Sequence, residues 1–95
     1  MSHRTTREAD EDIIGIYLDG YRGFGRMQAE RYHDGLAAAF KLIAAYPYIG
    51  RERVEFHLPV RLHPYNAHII VYRVMQDGLL IVRVLHARTN WQQLL

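Results

Sequence analysis

The sequence predicts an α+β domain, with an N-terminal helical hairpin packed on a small antiparallel sheet of three to four strands. Three observations predict it. Apolar residues recur every three to four positions through the first half of the chain, and from Arg51 onward the period falls toward two. The dipeptide Asp77-Gly78 then stands between two β-branched runs, HIIVYRVM and LLIVRVLHA, which is the signature of a hairpin. A chain of 95 residues forms one domain, 1–95, with a modest core and no room for a second module.

Each element has its own signal. Thr5-Thr6-Arg7-Glu8 has capping-box spacing, a hydroxyl for the first turn and a Glu three residues on. Ala9, Ile13, Ile16, Tyr17 and Gly20 then repeat at helical spacing, which predicts a helix over about 6–22. The stretch GYRGFG should break it. A second helix is predicted over about 27–46, with Tyr32, Leu36, Ala39, Phe40 and Ile43 as its apolar stripe and Pro47 and Gly50 as its stop. RERVEFHLP reads as a loop or irregular strand, 60–63 as a short strand, and Pro64-Tyr65-Asn66 as a turn. A short N-terminal strand is a further option, and a short tail follows the last strand.

The hairpin register follows from its turn. With Asp77-Gly78 as a two-residue turn, Val74 pairs with Ile81, Tyr72 with Arg83, Ile70 with Leu85 and His68 with Ala87, all on one face. The other face then carries Ile69, Val71, Arg73, Met75, Leu80, Val82, Val84 and His86, with Arg88 next along. Both faces are apolar, yet two helices cover only one side of a sheet. The second face needs a cover of its own: the C-terminal segment with the 51–59 loop, a twin subunit, or a partner.

Composition narrows the function. The net charge is +2, but the second half carries six basic residues against three acidic ones, so the positive potential lies there. All but Lys41 of the basic side chains are arginine, which holds carboxylates and phosphates in a planar fork and suits a recognition surface. A charge this small is weak support for direct DNA binding. No cysteine is present, so neither a disulfide framework nor a thiolate zinc site is expected, in keeping with a reducing cytoplasm. No apolar run is long enough to span a bilayer, and MSHRTTREADED has no signal-peptide core, which predicts a soluble protein away from membranes.

Few constellations carry chemistry. His57, His63 and His68 are irregularly spaced, with no HExxH and no carboxylate at ligand spacing, so no metal is expected. Asp10, Glu11 and Asp12 read as a solvated helix face. The lack of a GxGxxG or P-loop motif argues against a nucleotide cofactor, and no other cofactor is implied. There remain Arg73, Arg83, His86 and Arg88. Arg83 opposite Tyr72 reads as a cation and aromatic contact within the sheet. Arg73, His86 and Arg88 share the other face, either as an acid–base group able to cleave a phosphodiester or as a cationic rim that holds acidic partner residues. Trp91, the only tryptophan, either anchors an interface or packs the tail onto the sheet.

The start READEDIIGIY, the helix end AAYPYIGR and the hairpin HIIVYRVMQDGLLIVRVLHAR, in this order, resemble toxins of the RelE/ParE superfamily of type II toxin–antitoxin systems. The resemblance runs from about Thr5 to Arg88, with Tyr72-Arg73-Val74 and Arg83-Val84-Leu85-His86 as its most specific parts. It implies one of two activities. RelE-like members cut ribosome-bound messenger RNA with basic residues and a catalytic Tyr or His near the C-terminus. ParE-like members, associated with plasmid stabilisation, bind and poison DNA gyrase. Ile69 stands where RelE-like toxins place an arginine, Thr89 replaces a basic residue, and the tail NWQQLL lacks Tyr and His. These departures favour a ParE-like binding protein that is not an enzyme, with Arg83, His86, Arg88, Asn90 and Trp91 as its toxic surface. Under the endonuclease alternative His86, Arg73 and Arg88 would be catalytic; a degenerate toxin serving only as co-repressor is a third option. The resemblance also implies a cognate ParD-like or related antitoxin over Ile69, Val71, Arg73, Val82 and Val84, in a hetero-oligomer that meets operator DNA only through the antitoxin.

Overall fold

The computed structural model describes every residue from Met1 to Leu95. Strand β1 (His3–Thr5) leads into helix α1 (Arg7–Phe24), and the cap between them is Thr6, one residue later than the capping-box spacing suggests. The Thr6 hydroxyl accepts from the Ala9 N–H at 3.0 Å and donates to the Val82 carbonyl at 2.7 Å. One side chain thus starts the helix and ties it to the sheet.

Helix α1 runs through Gly20 and Gly23 and stops only at Gly25, so GYRGFG breaks the helix later than its composition suggests. Glycine inside a helix costs roughly 1 kcal/mol against alanine, and a Cβ at Gly20 would meet Ala29 of α2 (Arg26–Ala45) at 3.7 Å, an ordinary contact. Gly25, at φ +88°, is the whole connection. Its N–H donates to the Tyr21 carbonyl at 2.9 Å and its carbonyl accepts from the Ala29 N–H at 3.1 Å, ending one helix and opening the next. No helix of the chain is long and apolar enough to cross a membrane.

The sheet has five strands rather than three or four, and it is mixed rather than antiparallel. The order is β1-β5-β4-β3-β2, with β2 (Arg51–Arg53), β3 (Val60–Tyr65), β4 (His68–Met75) and β5 (Gly78–His86); β1 runs parallel to β5. β1 and β2 span three residues each, too few for a period to show in sequence. β3 continues through Pro64 to Tyr65, and Asn66, at φ 50°, makes the turn.

The β4–β5 register differs from the expected one in two places. Met75 pairs with Gly78, so Gln76-Asp77 is the two-residue loop, and Tyr72 pairs with Ile81. A bulge follows: Val71 pairs with Arg83, which leaves Val82 as the extra residue, and beyond it Ile70 pairs with Val84, Ile69 with Leu85 and His68 with His86. Gly78, at φ +141°, is forced by close approach, because a Cβ there would lie 2.9 Å from the Ser2 carbonyl oxygen. That carbonyl accepts the Leu79 N–H at 3.0 Å and seats β1. One extra residue in β5 reverses the inside–outside alternation beyond it. Val84 and His86 therefore face the helices, and Leu85 faces outward.

Two apolar layers result. Between helices and sheet lie Ala9, Leu36, Phe40, Ile43, Ile70, Tyr72, Leu79, Ile81 and Val84. On the outer face Val60, Val71, Leu85 and Trp91 are buried, with Phe56, Leu62, Ile69, Val82 and Leu95 packed around them. Of the three covers expected for that face, the chain supplies its own over part of it, through a 3₁₀ turn at Trp91–Leu94 and the loop after β2.

Tyr72 fixes the end of α2 to the sheet. Its side chain is fully buried, and its hydroxyl accepts from the Gly50 N–H and donates to the Pro47 carbonyl, both at 2.8 Å. Tyr72→Phe strips two backbone groups of their partner while leaving the ring in place. We expect a loss of about 1–3 kcal/mol in urea unfolding; an unchanged midpoint would show that the hydroxyl contributes nothing.

Candidate functional site

The C-terminal half of β5 is organised by one carboxylate on α1. Asp12 Oδ2 accepts from Arg83 Nε at 2.7 Å and from the Val84 N–H at 3.0 Å, while Oδ1 accepts from Arg83 Nη2 at 3.0 Å. The pair is largely buried, with side chains 23% and 15% exposed, and bonding to Asp12 raises the Arg83 pKa further above its ordinary value. Arg83 is therefore not the partner of Tyr72 expected from the register. Asp12, in turn, belongs to the fold rather than to a solvated acidic face. The bulge is the reason, since it moves Arg83 off the Tyr72 row and toward α1.

The same bulge places His86 beside His68. Their rings meet edge-on with centroids 5.2 Å apart, and His68 Nδ1 lies 2.6 Å from the Tyr32 hydroxyl of α2. His86 is held in turn: its Nδ1 accepts from the Arg88 N–H at 3.1 Å, and its carbonyl accepts from the Thr89 hydroxyl at 2.7 Å. In the neutral ring this leaves the proton on Nε2. Burial, reinforced by His86 and partly offset by Asp12, holds the His68 pKa below its ordinary value. Burial likewise raises the Tyr32 pKa, opposed by the Ala67 backbone and aided by Tyr65. These side chains line a cavity of about 290 Å³ walled by Ile16, Phe24 and Ala29, with Asp19 and Gln28 also on its lining. His68 and Tyr32 are the members that sequence spacing missed. They lie 36 residues apart, and no local pattern marks them.

The outer face holds the remaining candidates. Trp91 is 8% exposed, its ring 6.1 Å from Phe56, and the Arg53 guanidinium lies over both rings at 5.6 and 5.9 Å. Of its two expected roles, packing the tail is the one this geometry realises. Val71 is buried under that cluster and Val84 lies in the helix-side core, so neither is reachable by an antitoxin in this conformation. Ile69, Arg73 and Val82 remain half-buried on the outer face, whereas Arg88 and Asn90 are exposed beyond β5.

Arg73, His86 and Arg88 were expected on one face; the structure separates Arg73 from His86, while Arg88 stays next to His86. Arg73 lies between Tyr72 and Val74, both directed to the helix-side core, and it lines the outer groove with Phe56 and Val60. His86 contacts His68 on the helix side. The sheet itself stands between guanidinium and imidazole. His57 lines the outer groove with Arg73, and no three metal-binding side chains converge anywhere in the chain.

Residues 4–91 match the family described as the ParE toxin of type II toxin-antitoxin system, parDE. Toxin ParE3 of Caulobacter vibrioides is 24% identical over 85 residues, covering 90% of this chain and 85% of that one. A solved chain of the chromosomal ParDE TA system from P. aeruginosa superposes with a TM-score of 0.76 at 23% identity, covering 90% of this chain and 95% of that one. At that identity the likeness is one of fold.

Two outcomes test the geometry. Asp12→Asn leaves Arg83 without a counter-charge, with an expected loss of about 1–3 kcal/mol in denaturant unfolding; Arg83→Met in the same background should recover part of it. For His68 the folded pKa lies below the unfolded value of about 6.5, so its contribution is complete above that pH and fades as pH falls through the folded value. The parent should lose more stability than His68→Asn between pH 7.5 and 5. Parallel pH profiles for the two would rule this out.

Proposed function

This chain belongs to the ParE toxin family of type II toxin–antitoxin systems, and from that premise we propose that it poisons DNA gyrase by binding and is neutralised by a cognate antitoxin. The observation that carries the binding reading is the separation of Arg73 from His86 by the sheet. Acid–base cleavage of a phosphodiester needs the proton-transfer group and the cation that steadies the phosphate on the same side of the scissile bond. The exposed end of β5, with His86, Arg88 and Asn90, is the surface assigned to gyrase. Arg83 and Trp91 support it from within, by the Asp12 pair and by tail packing respectively.

Neutralisation is assigned to the outer face, where Ile69, Arg73 and Val82 remain half-buried beside the tail. Operator DNA is reached through the antitoxin. The setting is the cytoplasm, where gyrase works.

One observation favours the endonuclease alternative: His86 is exposed, its tautomer is set by the Arg88 N–H, and a second imidazole and a phenol stand next to it. Purified toxin added to gyrase, plasmid and ATP should trap cleaved, linear DNA, with Arg88→Ala reducing the trapped fraction. Undisturbed supercoiling at stoichiometric excess would refute the gyrase reading. Codon-dependent cuts in ribosome-bound message, lost in His86→Ala, would establish the alternative.

A further inference from the structure

Tyr32 of α2, His68 of β4 and His86 of β5 touch in that order, and only His86 lies on the surface assigned to gyrase. Tyr32 and His68 are half-buried behind it. His68 and His86 are opposite partners in the β4–β5 ladder, so their rings share the helix side. The Tyr32 hydroxyl lies 2.6 Å from His68 Nδ1 and 3.4 Å from the Tyr65 carbonyl. Its single proton goes to the nearer acceptor, which leaves the His68 proton on Nε2. This bond and an edge-on contact of the Tyr32 and His68 rings, centroids 5.5 Å apart, orient the His68 ring against His86.

Beyond His86 the ladder closes with the Ala87 N–H donating to the Ala67 carbonyl at 2.8 Å, and the chain turns. The turn is built on His86. Its Nδ1 accepts the Arg88 N–H, and its carbonyl accepts both the Thr89 N–H at 3.1 Å and the Thr89 hydroxyl at 2.7 Å. The Arg88 side chain is exposed, so its direction follows from the backbone of this turn. The His86 ring that holds the Arg88 N–H is itself held by the edge of His68, and of these contacts only His68 joins it to the helices.

We propose that Tyr32 and His68 are positioning residues for the Arg88 turn. The Tyr32 hydroxyl fixes the His68 ring, that ring fixes the His86 imidazole, and His86 Nδ1 fixes the backbone that aims Arg88 at its target. The proposal rests on the gyrase reading above and adds two residues that act on the target surface without lying on it. A hydrogen bond that only stabilises the fold would cost stability alone; this one also costs potency, and it does so through Arg88.

The test uses the full chain with gyrase, plasmid and ATP, read as the toxin concentration that gives half-maximal trapping of cleaved DNA, together with NMR spectra of the imidazole nitrogens. Tyr32→Phe and His68→Asn should each raise that concentration about twofold to tenfold, the worth of one hydrogen bond. Tyr72→Phe, which removes a buried hydroxyl at the far end of the sheet, should leave it unchanged. In an Arg88→Ala background neither Tyr32→Phe nor His68→Asn should add a further loss, because all act on one element. In the spectra both parent rings should carry the proton on Nε2, and Tyr32→Phe should mix the tautomers of His68 and shift the signals of His86. Losses that add to that of Arg88→Ala would overturn the proposal, as would an equal loss in Tyr72→Phe, since each reduces Tyr32 to a fold-stabilising role. Unshifted His86 signals in Tyr32→Phe would overturn it as well. If the parent traps no cleaved DNA, the gyrase reading falls, while the coupling of Tyr32 to His86 is still decided by the spectra.

Discussion

The geometry of the functional end depends on the bonds that Asp12 makes to the bulge in β5. Strand β5 has one residue too many for a regular ladder with β4, and a bulge displaces a backbone N–H and a side chain from their usual partners. Asp12 satisfies both, taking the Val84 N–H and the Arg83 fork on one carboxylate. Because Asp12 sits on α1, whose start is capped by Thr6 and tied to the Val82 carbonyl, the helix and the irregular strand hold each other. Burying an arginine or an aspartate alone would be unfavourable, so the two are stable there only together.

From that lock the two faces acquire different strengths. The helix-side core joins eleven buried residues and is pinned by the Tyr72 hydroxyl at the far end. The outer cluster has four, and its cover is a single 3₁₀ turn and a loop, held by Trp91, Phe56 and the stacked Arg53. Opening the tail exposes much less apolar area than parting the helices from the sheet, so local unfolding begins there. The face with the thinner cover is also the one with the unpaired Arg73. A surface held weakly by its own chain is one a partner can complete.

The bulge decides the chemistry as well. Were the alternation unbroken, His86 and Arg73 would share a face and resemble the start of a phosphodiester-cleaving group. With it broken, His86 joins His68 and Tyr32 around a cavity on the helix side, and Arg73 is left in the groove of the outer face. One fold can carry more than one activity, so the difference lies in where a few side chains point.

The sequence by itself determined the α+β class, the helical hairpin and the β4–β5 hairpin, because periods of 3.6 and 2 and a Gly-containing turn are local signals. It also marked Arg73, Arg83, His86 and Trp91 as residues of interest. β1 and β2, too short to show a period, it offered only as options, a short N-terminal strand and a loop or irregular strand, and it did not hold the bulge, which no residue between Val71 and Val84 announces. The turn was placed one residue late because Asp77-Gly78 is the commoner hairpin dipeptide. Gly78 is instead fixed inside the strand by the Ser2 carbonyl from the far end of the chain. Only the tertiary structure settled these points, and for one physical reason. The Asp12 contact to Arg83 and the Ser2 contact to Gly78 join residues more than seventy positions apart, and such contacts set register without leaving a local pattern.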